Sequence, residues 1–204
     1  DRGCFITISH TGYIKRVPID TYKAQRRGGK GVTGMTTKEE DYVEHLFIAS
    51  THDYLLFFTS GGRVYSERVY EIPEAGRAAK GKAIVNLLNI QSDEKIAAMI
   101  RVREFPEDQF LIMATAQGVV KKTCLANFQN VRSDGIIAIN IDTGDRLIQV
   151  KQTNGKQEVM LITREGMSIR FNEVQARDMG RATRGVRGIS LGDKDAVAGA
   201  VAVE

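Results

Sequence analysis

Residues 22–34 read YKAQRRGGKGVTG, with four cations and four glycines in thirteen positions and no acid. Arginine offers a planar fork to phosphate oxygens and lysine a mobile point charge. Glycine lets the backbone turn tightly and bring N–H groups against an anion. Such a loop can cradle a nucleotide phosphate, grip a nucleic-acid backbone, or be a solvated turn. GKGVTG (29–34) fits G-x-G-x-x-G, but that fingerprint needs a preceding strand, a helix opening within it and a βαβ frame. The Walker A pattern fails, because Gly rather than Ser or Thr follows the lysine. His10, His45 and His52 are scattered, with neither H-E-x-x-H nor a cysteine pair, so no metal site is expected. No G-x-S-x-G elbow occurs and no tyrosine is assigned as a nucleophile, so no catalytic residue is expected; KEED (38–41) reads as a solvated turn.

The elements that must carry this loop are repeated. FITISHTGYIKRV (5–17), LLFFTSGGRVYSERV (55–69), FLIMATAQGVVKKT (110–123) and VMLITREGMSIRF (159–171) share one plan. Each has a β-rich apolar run, a Thr or Ser, a short polar tip ending in Gly, then a second run, which predicts a hairpin with positive φ at the glycine. The tip glycines Gly12, Gly62, Gly118 and Gly166 stand 50, 56 and 48 residues apart. Gly31, Gly81, Gly135 and Gly185 follow them by 19, 19, 17 and 19 residues, and a β-branched segment follows each of these: 42–50, 95–103, 146–153 and 196–203. The expected fold is all-β and propeller-like, with four blades of roughly fifty residues over 1–50, 51–103, 104–153 and 154–204. TTKEEDYVEHL (36–46) could add a turn or two of helix.

Aligning the copies shows where cations recur. Four residues after each tip glycine stand Arg16, Ser66, Lys122 and Arg170. One residue before each loop glycine stand Lys30, Lys80, Asp134 and Arg184; four before it, Arg27, Arg77, Val131 and Arg181. Three of four are basic in each series, so equivalent loops would form a cationic stripe suited to a curved polyanion, bent duplex DNA above all. Lys15, Arg63, Lys82, Lys121 and Arg187 join these series as candidate DNA contacts, and the third loop is expected to contribute least. A propeller used as a protein-interaction scaffold is the rival reading; it would show mixed-sign loops and an apolar or aromatic patch, for which 7% aromatic content leaves little material.

The bulk composition agrees with a globular chain: 204 residues, 42% hydrophobic, 26% charged, no Trp, three Pro and a net charge of +4. Cys4 and Cys124 lie far apart, which favours free thiols in a reducing compartment. No apolar run approaches the ~20 residues of a membrane span, so no membrane partner is expected. The first residue is Asp rather than Met, and the chain ends where a fifth hairpin would be due, so an arc cut from a larger wheel is expected.

QRRGGKG, residues 25–31, is similar at all seven positions to the box that marks the C-terminal domain family of the DNA gyrase A subunit. EAGRAAKGK (74–82) and MGRATRGVRG (179–188) resemble its degenerate echoes in later blades. The resemblance implies a β-pinwheel, a propeller relative whose blades exchange strands, with this chain supplying the first four of a normally six-bladed wheel. It implies a domain that wraps double-stranded DNA so that the holoenzyme can introduce negative supercoils, with the box, Gln25, Arg26, Arg27, Gly28, Gly29, Lys30 and Gly31, needed for wrapping. By the same resemblance the partners are the rest of the gyrase A chain, as a homodimer, together with gyrase B in an A2B2 assembly of the bacterial cytoplasm. ATP and Mg2+ would act elsewhere in that holoenzyme, with no cofactor in this chain. The related topoisomerase IV subunit carries a degraded box, so the intact heptapeptide favours gyrase.

Overall fold

The same turn closes all four hairpins. Ser9, Thr59, Thr115 and Thr163 are buried. Their side-chain oxygens accept the N–H of Tyr13, Arg63, Val119 and Met167 at 3.1, 3.2, 3.1 and 3.0 Å. Their carbonyls accept the N–H of Gly12, Gly62, Gly118 and Gly166 at 2.9–3.1 Å, with those glycines at φ +88°, +88°, +92° and +84°. One hydroxyl per tip thus satisfies a backbone donor that the turn would leave unpaired.

The computed structural model describes residues 1–21, 25–31 and 42–204. The first repeat supplies β1 (Gly3–Ser9), β2 (Tyr13–Pro18) and β3 (Val43–Ser50). The second supplies β4 (Tyr54–Thr59), β5 (Arg63–Arg68), β6 (Lys82–Ala83) and β7 (Ile96–Val102), with one helical turn, α1 (Ile84–Leu87), after β6. The third supplies β8 (Phe110–Thr115), β9 (Val119–Cys124), β10 (Ile136–Ile137) and β11 (Leu147–Thr153); the fourth, β12 (Glu158–Thr163), β13 (Ser168–Asn172), β14 (Val186–Arg187) and β15 (Val197–Val203). A single 3-10 turn follows the second strand of each hairpin. The helix expected around 36–46 is corrected over 43–46, which lie in β3; residues 36–41 lie outside the described ones. There β-branched and aromatic residues pairing with β1 outweigh a local acidic helical pattern.

The sheets run β3-β1-β2-β6, β10-β5-β4-β7, β11-β8-β9-β14 and β13-β12-β15. The short strand of each later repeat therefore sits in the sheet of the repeat before it. Ile14 pairs with Lys82, Val64 with Ile136, and Val120 with Val186. Beyond each short strand the chain docks on the preceding tip: Ile84, Ala138 and Gly188 donate to the carbonyls of Gly12, Gly62 and Gly118 at 2.8, 2.8 and 2.7 Å. This is the strand exchange that the resemblance implied.

Glycine makes the entry possible. Gly81, Gly135 and Gly185 precede the short strands at φ +91°, +82° and +98°. A Cβ there would stand 2.4 Å from the Ile14 carbonyl oxygen, 2.6 Å from the Tyr65 ring and 2.5 Å from the Val120 carbonyl oxygen. No larger side chain fits that approach.

The chain divides into two compact units, Asp1–Leu55 with Glu67–Ser92, and Leu56–Ser66 with Asp93–Glu204. The division falls within β4 and β5. In the first unit Ile6, Ile8, Ile14, Val17, Val69 and Ile72 are buried. In the second, Val120, Val159, Leu161, Ile189, Val197 and Ala200 form one cluster, and Phe58 meets Phe128 edge to face at 5.8 Å.

Two glycines at positive φ separate backbone strain from crowding. Gly166→Ala, with open space around its Cβ position, should cost about 1 kcal/mol. Gly185→Ala adds the clash with Val120 and should cost about 3 kcal/mol or more, read as the difference in urea midpoint at constant slope.

Candidate nucleic-acid interface

In the first unit, residues 25–31 are all exposed. Gly29 donates to the Arg26 carbonyl at 2.9 Å and Gly28 takes φ +85°, as the third residue of a type II turn requires. Arg26, Arg27 and Lys30 thus stand on a tight, solvent-facing loop. Gly31 differs from its counterparts: its φ is not in the left-handed region, and no described atom lies within 4 Å of where its Cβ would be.

The corresponding loop of the second repeat is built around a buried ammonium. Lys15 on β2 has no exposed surface, and its Nζ donates to the carbonyls of Gly76, Arg77 and Ala79 at 3.0, 2.6 and 2.9 Å. Arg16, the next residue, donates from Nε to the Ile72 carbonyl at 3.1 Å and meets the Glu74 carboxylate at 3.3 Å. Lys80 lies over the Tyr13 ring, 3.8 Å from its centroid. Arg77 is half-buried and Lys82 exposed. The buried Glu67 carboxyl is pushed up to about 8 by desolvation, then by a hydrogen bond and repulsion from Glu71, against a lowering by Lys82.

The second unit repeats the device. Lys121 on β9, also buried, donates to the carbonyls of Ala138 at 2.7 Å, Thr183 at 3.2 Å and Arg181. Burial, then the Arg181 charge, bring its ammonium down to about 8. Burial lowers Lys15 in the same direction. Lys122 is buried against Glu173, with Nζ 3.3 Å from Oε1 and 4.4 Å from the Phe110 ring centroid. Glu173 also accepts from Thr153 Oγ1 and the Gln157 N–H, each at 2.8 Å. Arg63 donates to the Gly135 carbonyl at 3.1 Å. Arg170 pairs with Glu158, and Arg184 with Asp142 at 2.7 Å. Arg181 is half-buried and Arg187 exposed.

These placements sort the candidate cations. The expectation for Lys15, Lys121 and Lys122 is corrected: their ammonium groups lie inside the protein on carbonyls or a carboxylate and are not offered to a phosphate. β2 and β9 are covered on both faces, so alternation along them does not send every other residue to solvent. Arg16, Arg63, Arg170 and Arg184 hold internal partners while keeping some exposed surface. Arg26, Arg27, Lys30, Lys82 and Arg187 are exposed cations that, among the described residues, form no ion pair. Sequence reasoning missed Glu67, on β5, and Glu173, which opens the 3-10 turn after β13, because an acid at either place reads as solvated until its burial is known.

The chain matches the family described as DNA gyrase C-terminal domain, beta-propeller, over residues 5–50, 53–103, 109–154 and 157–204. It is 50% identical over 188 residues to the DNA gyrase A protein of Clostridium acetobutylicum, covering 92% of this chain and 23% of that protein. Thus it spans about a quarter of the length of that relative. Among solved structures it superposes on a C-terminal domain of DNA topoisomerase IV with TM-score 0.84 at 27% identity, covering 99% of this chain and 61% of that one. On a DNA gyrase A C-terminal domain the TM-score is 0.76 at 25% identity, covering 99% and 65%.

Two substitutions test the buried charges. Lys122→Met removes the cation paired with the buried Glu173 carboxyl, and should cost about 3–5 kcal/mol in chemical denaturation without weakening DNA binding at a temperature where it stays folded. Glu67 favours folding in its protonated form, so its contribution is full below about pH 4.5 and is lost as pH rises to about 8. Glu67→Gln should therefore be more stable than the parent chain at pH 9 and show a flatter stability profile from pH 5 to 8, measured by urea midpoints.

Proposed function

This chain belongs to the DNA gyrase C-terminal domain family of β-propellers, and on that premise we propose that it binds and wraps double-stranded DNA without sequence preference. The observation that carries the reading is the exposed box, seven consecutive solvent-facing residues with three cations and no acid. Its chemistry addresses phosphate: two guanidinium forks, an ammonium and glycine backbone that lets an anion approach closely. None of these groups reads a base edge in a groove, so preference should follow how cheaply a duplex bends. Lys82 and Arg187 extend the exposed charge within their own units, and Arg77, Lys80, Arg181 and Arg184 are loop cations that can join when a phosphate competes for them.

The four repeats act as one DNA-binding domain of a gyrase A chain that carries its catalytic machinery elsewhere. The assembly is a gyrase A homodimer with gyrase B, A2B2, using ATP and Mg2+ outside this chain to introduce negative supercoils in the bacterial cytoplasm. A second reading, DNA positioning in a topoisomerase IV, is favoured by the higher TM-score to that enzyme's C-terminal domain. The intact box and the near-even identity to gyrase A favour the first.

Replacing Arg26, Arg27 and Lys30 together with Ala should weaken duplex binding and flatten log K against log salt by up to about 2.7 units, roughly 0.9 for each phosphate no longer neutralised. In reconstituted enzyme the same variant should lose supercoiling and keep ATP-independent relaxation; full supercoiling would remove the box from the mechanism. Ligating relaxed circles on the chain separates the two readings: a changed linking number supports wrapping, and bound DNA with none supports positioning.

A further inference from the structure

We propose that Lys15 and Lys121 are positioning residues that turn the loops of the second and fourth repeats into phosphate-binding backbone sites. The inference rests on the DNA-binding reading and adds to it which groups meet the backbone and what orients them. Both lysines occupy the third position after a tip glycine, and both place a buried ammonium beneath a loop of matching sequence, GRAAKG (76–81) and GRATRG (180–185).

The peptide plane makes the consequence direct. In a trans peptide the C=O and N–H point in opposite directions. The carbonyls of Gly76, Arg77 and Ala79 converge on Lys15 Nζ, so the N–H groups of Arg77, Ala78 and Lys80 point away from it. In the second unit the carbonyls of Arg181 and Thr183 converge on Lys121 Nζ, so the N–H groups of Ala182 and Arg184 point away. The third carbonyl there, of Ala138, belongs to a peptide whose N–H, that of Ile139, is already given to Gly62 at 3.1 Å. Ala78, Ala182 and Arg184 are exposed and Arg77 and Lys80 half-buried, so the loops that carry these amides lie at the protein surface. An ammonium behind each loop polarises its peptide dipoles with their positive ends outward, in surroundings where charge is weakly screened. Arg77 and Lys80, or Arg181 and Arg184, stand on the same loops, with Lys80 resting on Tyr13 and Arg184 on Asp142 until a phosphate competes for them. The result is a cluster of neutral donors with cations beside it, the arrangement that holds a phosphate oxygen.

The third loop fits the same logic. Tyr65 holds the equivalent position in the second repeat and packs on Gly135, so the third loop has no ammonium beneath it. That loop is also the one with Asp134 and Val131 at the recurrent cation positions. Across the three loops carried onto a preceding repeat of this chain, buried lysine and cationic loop therefore occur together in the second and fourth and are absent together in the third.

The test uses the whole 204-residue chain and a short mixed-sequence duplex, read by amide NMR and by binding at several salt concentrations. In the parent chain the amide signals of Ala78, Lys80, Ala182 and Arg184 should shift on adding duplex. Lys15→Met should abolish the shifts at Ala78 and Lys80 only, and Lys121→Met those at Ala182 and Arg184 only. Each should weaken binding about tenfold at fixed salt, the loss expected for one or two charge-assisted hydrogen bonds. Duplex binding by the parent with these four amides unmoved overturns the proposal and leaves the DNA-binding reading standing. So does either variant keeping full affinity. Failure of the parent to bind duplex at all overturns the DNA-binding reading itself. Should a variant not fold, the amide shifts of the parent chain alone decide the matter.

Discussion

One backbone approach underlies the repeated architecture. A two-residue strand of each later repeat is hydrogen-bonded into the sheet of the repeat before it, and it enters over a main-chain carbonyl or an aromatic ring. At Gly81 and Gly185 a Cβ would overlap the carbonyl oxygens of Ile14 and Val120, so the approach exists only because glycine has none. From that approach follow the docking of Ile84, Ala138 and Gly188 on the preceding tip glycines and the seating of the intervening loops. Stability gained this way is held between neighbours in the chain, as in other repeat folds. It is backbone pairing with a steric entry condition, and it tolerates wide variation in the side chains between landmarks.

The exchange also explains how the positive charge is divided. A loop carried onto a neighbour's strand brings several carbonyls inward, where water cannot satisfy them. Lys15 and Lys121 meet that need with one ammonium each, which satisfies three acceptors at once. Burying such a charge is costly unless every donor is used. Lys122 and Glu173 solve a similar problem by pairing with each other under Phe110. Some of the lysine and arginine that looks like a DNA-binding series thus maintains the loops that carry the rest. Of that series, the exposed cations that form no ion pair among the described residues are the three of the box, Lys82 and Arg187.

The box stands apart from its echoes in geometry as well as sequence. Its turn uses Gly28 at positive φ, where the second and fourth loops have Ala78 and Ala182. Its last glycine, Gly31, neither takes the left-handed conformation nor crowds a described neighbour, unlike Gly81, Gly135 and Gly185. Seven exposed residues with unencumbered cations suit a segment whose binding partner is a polyanion.

Local chemistry determined a good deal. The apolar run, the Thr or Ser and the tip glycine name the hairpins, because a turn at positive φ and a side-chain acceptor for its free N–H are short-range needs that short-range sequence must meet. The fifty-residue spacing and the second set of glycines likewise reveal the repeat, and the QRRGGKG box carries the family. What lies inside could not be read this way. Lys15, Lys121 and Lys122 look the same in sequence as surface lysines, and Glu67 and Glu173 the same as solvated acids. Whether a side chain on a strand is covered depends on which strand of another repeat lies over it, a partner often fifty or more residues away. Tertiary structure alone decided which charges face water and which hold the loops, because burial is set by those long-range neighbours and not by the residue's own segment.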